Sequence, residues 1–152
     1  MRLINTRFGL VMVSAVAAAA LVACGGGESG SKAEGGKSEG GAAGKVEVTL
    51  SEWAIKSNVT KAKAGSVEFA TTNKGATAHE LAIYQSDLAA DKLPQAGGGV
   101  DEKQVTVIGR TASLDANKSE SKKVDLKAGK YVLVCNLPAH YGQGMRLAFT
   151  VE

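Results

Sequence analysis

From Lys45 onward, apolar residues fall on alternate positions over short runs, and turn residues close each run. That period of two constrains the chain more than any other feature. It presents one face of a strand to a core and does not suit a long helix. Val46, Val48 and Leu50 alternate with polar neighbours, and Val67, Phe69 and Thr71 do the same after the Ala64-Gly65 turn. Asn73-Lys74-Gly75 ends that run. His79, Leu81 and Ile83 then share one face, with Glu80, Ala82 and Tyr84 on the other. Val105 to Ile108 is expected as a strand, and Val124 and Leu126 mark another. Ala128-Gly129 leads into Tyr131, Leu133 and Cys135 on one face, opposite Val132 and Val134. Met145, Leu147, Phe149 and Val151 line the last strand. Between these runs, Ser86 to Leu93 is predicted as a short helix, capped by Ser86 and stopped by Pro94, and Gln95 to Gly99 as loop. Short strands punctuated by turns indicate an all-β fold, an antiparallel β-sandwich.

The segment before this domain has a different character. Arg2 and Arg7 precede an apolar stretch from Phe8 to Val22, with no acidic residue before Glu28. That is the layout of a secretory signal peptide, expected over residues 1–23, and it is short for a spanning helix. Leu21-Val22-Ala23-Cys24 resembles the lipobox of bacterial lipoproteins, which implies cleavage before Cys24 and lipidation of its sulfur. The plainer alternative is an ordinary signal with an incidental thiol. A flexible stretch following directly favours the lipid anchor. Residues 24–44 consist almost entirely of Gly, Ser, Ala, Lys and Glu beyond that cysteine. Such a composition cannot bury enough surface to fold. Twenty residues of this kind reach roughly 25 Å as a coil. The expected organisation is therefore signal, tether and one folded domain over 45–152, on the extracytoplasmic side of a bacterial membrane.

Charge excludes more than it suggests. The whole chain holds 18 basic and 15 acidic residues, and without Arg2 and Arg7 the balance is 16 against 15. There is neither a basic stripe nor interleaved aromatics, so no nucleic-acid partner is expected.

Two histidines, two cysteines and three methionines occur in the chain. Outside the signal and Cys24, what remains is His79, Cys135, His140 and Met145. A lone thiol in an oxidising compartment needs burial or a metal. Taken singly, Cys135 reads as a buried thiol, His79 as a hydrogen-bonded core residue, Met145 as packing and His140 as surface. Their arrangement argues otherwise. Cys135, His140 and Met145 form a C-x4-H-x4-M loop between two strands, and His79 projects from the same inward parity. Thiolate, two imidazoles and a weak thioether suit a single copper ion. They form a trigonal set with a long axial bond, close to what both oxidation states accept. Zinc fits such ligands but has no redox chemistry.

On these residues the chain resembles the cupredoxins, the blue-copper superfamily of azurin and plastocyanin, and bacterial relatives close to sulfocyanin. The resemblance spans Lys45 to Glu152: an N-terminal strand containing Trp53, the A-H-E-L segment at Ala78–Leu81, D-L-A-A-D-K-L-P, and Y-V-L-V-C-N-L-P-A-H-Y-G-Q-G-M-R. It implies a Greek-key sandwich of about seven or eight strands. It also implies His79, Cys135 and His140 as equatorial ligands and Met145 as axial ligand. The pattern departs at three positions. Glu80 stands where those relatives have an Asn that braces the cysteine loop, although the Glu80 and Leu137 N–H groups remain within reach of the thiolate. Ala139 and Ala78 stand where Gly is usual. The His140-to-Met145 spacing is one residue longer than azurin's.

The function this implies is single-electron transfer through one type 1 copper, with redox protein partners (a cytochrome, oxidase or reductase) docking near His140. Leu137, Pro138, Ala139 and Tyr141 are the residues expected to form that apolar patch. A monomer is expected. The alternative is an extracytoplasmic copper chaperone or buffer, which ranks second because such proteins resemble methionine-rich sites without a thiolate. An enzyme is not expected: a nitrite reductase or multicopper oxidase needs further histidines, and this chain has none to spare.

Overall fold

The computed structural model describes residues 44–152; the signal segment, Cys24 and the tether through residue 43 lie outside the described residues. The alternating runs form β1 (Lys45–Ser51), β2 (Ala54–Ser57), β3 (Lys61–Ala62), β4 (Gly65–Asn73) and β5 (Ala82–Gln85). After them come β6 (Gln95–Ala96), β7 (Gly99–Val100), β8 (Thr106–Arg110), β9 (Ser119–Leu126) and β10 (Gly129–Val134). The helix α1 (His140–Gln143) and β11 (Arg146–Val151) complete the order.

One sheet runs β2-β1-β4-β9 and the other β3-β11-β10-β5-β8, while β6 and β7 make a small separate hairpin. Non-consecutive strands lie side by side, as the expected Greek key requires. Two pairings, β1 with β4 and β11 with β3, are parallel, so the sheets are mixed and not wholly antiparallel. The chain causes this by crossing layers: after β2 it adds β3 to the edge of the second sheet. It then returns to lay β4 alongside β1 in the same direction.

Burial follows the sequence parity. Val46, Val48, Leu50, Val67 and Phe69 meet Leu81, Ile83, Tyr131, Leu133, Phe149 and Val151 between the sheets. Burying each such large side chain stabilises by about 1.5–3 kcal/mol before entropy is counted. The opposite face of β5 and β10 is buried too. Ala82, Tyr84, Val132 and Val134 pack with Leu93, Val100 and Tyr141 beneath the excursion between β5 and β8. This explains why Leu81–Tyr84 and Tyr131–Val134 read as unbroken apolar runs: they are covered on both sides.

The helix predicted at Ser86–Leu93 does not form; bends and one turn occupy that stretch. Its backbone is committed elsewhere. The Tyr141 hydroxyl donates to the Ala90 carbonyl at 2.8 Å and accepts from the Leu93 N–H at 3.0 Å. Those groups are therefore fastened to the later chain and not to a helical neighbour. Among the described residues the helix is α1 instead, within the loop that joins β10 to β11.

Candidate metal centre

The four singled-out residues come from four places at one end of the sandwich. His79 precedes β5 and is pinned to Leu114 by a reciprocal pair, N–H to carbonyl at 3.0 and 2.7 Å. Cys135 follows β10, His140 opens α1, and Met145 directly precedes β11. His79, Cys135 and Met145 are fully buried, and His140 is half-buried.

Three donor atoms converge. His79 Nδ1 and His140 Nδ1 are 3.1 Å apart, and they lie 3.9 and 3.3 Å from Cys135 Sγ respectively. A circle through these three atoms has a radius of about 2 Å, close to an ordinary metal–imidazole bond of about 2.0–2.1 Å. Two imidazole nitrogens and a sulfur facing one another at this spacing fit a small soft cation. His79, Cys135, His140 and Met145 are positioned as a type 1 copper site.

The loop is closed by its own backbone. The Cys135 N–H donates to the Met145 carbonyl at 3.1 Å, and the Met145 N–H donates to the His140 carbonyl at 3.1 Å. The extra residue between His140 and Met145 is absorbed in the turn of α1, which Gly144 ends at φ 119°. Ala139 adopts the left-handed conformation, φ 70°, that a glycine would take without strain. The Ala139 N–H, donating to the Gly98 carbonyl at 2.7 Å, helps hold it there. The loop predicted at Gln95–Gly99 is in fact the β6–β7 hairpin, lying against the ligand loop. A side chain on Gly99 would stand 2.6 Å from Asn136 Oδ1, so glycine permits that approach.

The thiol receives the expected backbone donor: the Glu80 N–H points at Cys135 Sγ from 3.4 Å. Burial pushes the thiol's pKa up, partly opposed by the Glu80 and Leu137 N–H groups, and the Glu80 charge adds to the rise. Burial likewise pulls the His140 pKa down, helped by His79 and opposed by Glu52. Glu80 does not brace the cysteine loop with its side chain; its carboxylate faces Arg110 at 3.8 Å. The brace comes from inside the loop. Asn136 Oδ1 accepts from the Val100 N–H at 2.6 Å, and its amide donates to Glu102 at 3.0 Å. Glu102 also accepts from Tyr84 and pairs with Arg110.

Around His140, Pro138 and Ala139 are exposed and Leu137 is half-buried, but Tyr141 is not part of that surface. It is only 1% exposed and serves as an anchor beneath the loop. Trp53 takes its place. That ring is 45% exposed and meets the His140 ring edge-on, with centroids 5.1 Å apart. Its neighbour Glu52 reaches the other imidazole, His79, at 3.3 Å. Sequence reasoning missed Glu52, Trp53 and Arg110 as site neighbours, because they come from the β1–β2 turn and from β8, and no local spacing marks them.

A β-sandwich with such a donor set at one end defines a cupredoxin. Residues 42–152 match the family described as "Copper binding proteins, plastocyanin/azurin family". The chain belongs to this family. Among solved structures it is similar to reduced auracyanin from Roseiflexus castenholzii, at 22% identity and TM-score 0.56, covering 74% of this chain and 99% of that one. Auracyanin A, described as a "blue" copper protein from Chloroflexus aurantiacus, gives 20% identity and TM-score 0.51, covering 71% and 98%. Rusticyanin from Thiobacillus ferrooxidans gives 19% identity and TM-score 0.52, covering 71% and 77%. At these identities the likeness speaks for the fold. No curated protein matches the chain.

Proposed function

We propose that His79, Cys135, His140 and Met145 would together hold one copper ion, and that the protein transfers single electrons between redox protein partners. The observation that carries this reading is the spacing of the three donor atoms, 3.1, 3.3 and 3.9 Å apart, before any ion is considered. Copper bound there supplies one-electron chemistry between its two common oxidation states. The residues supply rigidity. The Leu114 pair holds His79, and the backbone bonds among Cys135, His140 and Met145 fix the loop. A site built this firmly resists rearrangement as charge changes, which favours fast exchange.

His140 is the half-buried ligand and the natural point of electron entry. Leu137, Pro138, Ala139 and Trp53 surround it with apolar surface suited to a small, weak and rapidly exchanging contact. The proposed cellular setting is the extracytoplasmic face of a bacterial membrane, with a lipid on Cys24 and residues 25–44 as tether. It rests on the lipobox-like sequence and the Gly/Ser-rich composition.

The test is the visible spectrum and voltammetry of the Cu(II)-loaded chain beside Cys135→Ser. Intense blue absorption with a reversible one-electron wave is expected, and its loss in C135S. A colourless wild type sinks the ligand assignment. A coloured protein that gives up copper rapidly to an apo-acceptor and shows no reversible wave would mark copper delivery instead.

A further inference from the structure

Glu52 lies in the turn between β1 and β2, in the sheet opposite His79. Its Oε1 sits 3.3 Å from His79 Nε2. The same oxygen accepts from the Ala76 N–H at 2.9 Å, the Thr77 N–H at 2.8 Å and the Thr77 hydroxyl at 2.8 Å. The seat is built for it. A side chain on Gly75 would stand 2.6 Å from both carboxylate oxygens. Asn73, fully buried, holds that turn by donating to the Thr77 and Leu114 carbonyls at 2.7 and 2.8 Å and accepting from the Gly75 N–H at 2.8 Å. The carboxylate thus meets a fully buried imidazole on the ring edge away from Cys135 and His140.

A neutral imidazole carries one proton, and the nitrogen without it offers the lone pair. Thr77 Oγ1 is 3.5 Å from the same ring nitrogen, but its own proton goes to Glu52. The anionic acceptor is therefore the partner that decides the tautomer. We propose that Glu52 is a positioning residue for the metal centre: its carboxylate holds the proton of His79 on Nε2, turns Nδ1 toward the copper and makes that nitrogen more basic. An anion behind a ligand stabilises the more highly charged metal state more than the less charged one. The centre is accordingly tilted toward Cu(II). This rests on His79 being a copper ligand.

The experiment uses the full-length chain loaded with copper, with voltammetry and chelator competition for Cu(II). Glu52→Gln keeps an oxygen at the same reach and removes the charge. The preference for Cu(II) over Cu(I) should fall on the order of tenfold, which is about 59 mV upward for one electron. Gly75→Ala keeps the charge but pushes the carboxylate from its seat, so it should shift the potential the same way by less. A purely structural role would lower stability and leave the potential where it was. An E52Q protein with wild-type potential and Cu(II) affinity overturns the inference. Where E52Q does not fold, proton NMR of the Cu(I) wild type decides. A strongly downfield, slowly exchanging His79 Nε2–H is expected, and a resonance exchanging as fast as that of His140 overturns it. A blue wild type with an unmoved E52Q potential defeats this inference alone, whereas a colourless wild type defeats the ligand assignment and this with it.

Discussion

His79 and His140 bring their Nδ1 atoms to within 3.1 Å of each other, yet the two sides of the site are held by different means. His79 is fully buried, pinned to Leu114 on both backbone groups and backed by Glu52. His140 is half-buried, stands on a loop helix of four residues and touches the exposed Trp53. One side belongs to the sandwich and the other to the loop. The difference separates two demands: a fixed ligand frame needs burial, whereas electron exchange needs a ligand near the surface.

The sharpest way to break that comparison is to remove each imidazole. His140→Gly and His79→Gly should both lose the blue absorption. Added imidazole should restore a coloured Cu(II) site in H140G, whose gap opens to solvent, and not in H79G, whose gap is enclosed. Equal rescue of both variants in a visible titration would show that the two sides do not differ as described.

A smaller effect tests the rigidity of the buried side. Asn73 makes three side-chain hydrogen bonds, two within the turn that faces Glu52 and one to Leu114, the residue that pins His79. Asn73→Ala leaves their partners unsatisfied and should cost about 3 kcal/mol in urea denaturation of the copper-free chain. A loss under about 1 kcal/mol would mean that water replaces those bonds freely and that this side is looser than its geometry suggests.

The smallest effect falls on the loop side. Ala139 at φ 70° carries about 1–2 kcal/mol of left-handed strain. Ala139→Gly relieves it but adds freedom to the unfolded chain worth about 0.5–1 kcal/mol. The net change should lie between none and a gain of about 1.5 kcal/mol, read from the same denaturation curves. A clear destabilisation would show that the Ala139 methyl contributes packing that its exposed position does not suggest.

Strand parity was legible because its cause is local. Adjacent side chains of a strand point to opposite faces, so His79 with Leu81 and Ile83, and Cys135 with Tyr131 and Leu133, faced inward before any neighbour was known. The C-x4-H-x4-M loop was legible for the same reason, since its residues are close along the chain. The helix at Ser86–Leu93 was misread because Tyr141, some fifty residues later, takes its backbone groups. Tyr141 was misplaced on the surface for the converse reason: its ring is drawn into that same contact.

The sequence by itself determined that this domain holds ligands for one soft metal ion, because its thiol, thioether and imidazoles are so few. It also determined the sandwich, through the period of two. Only the tertiary structure decided what stands behind each imidazole. Glu52 and Trp53, adjacent in one turn, touch His79 and His140 respectively, and Asn136 braces the loop where Glu80 does not. Such contacts join residues far apart in the chain. They depend on which strands the two sheets bring together, and no spacing along a single strand encodes that.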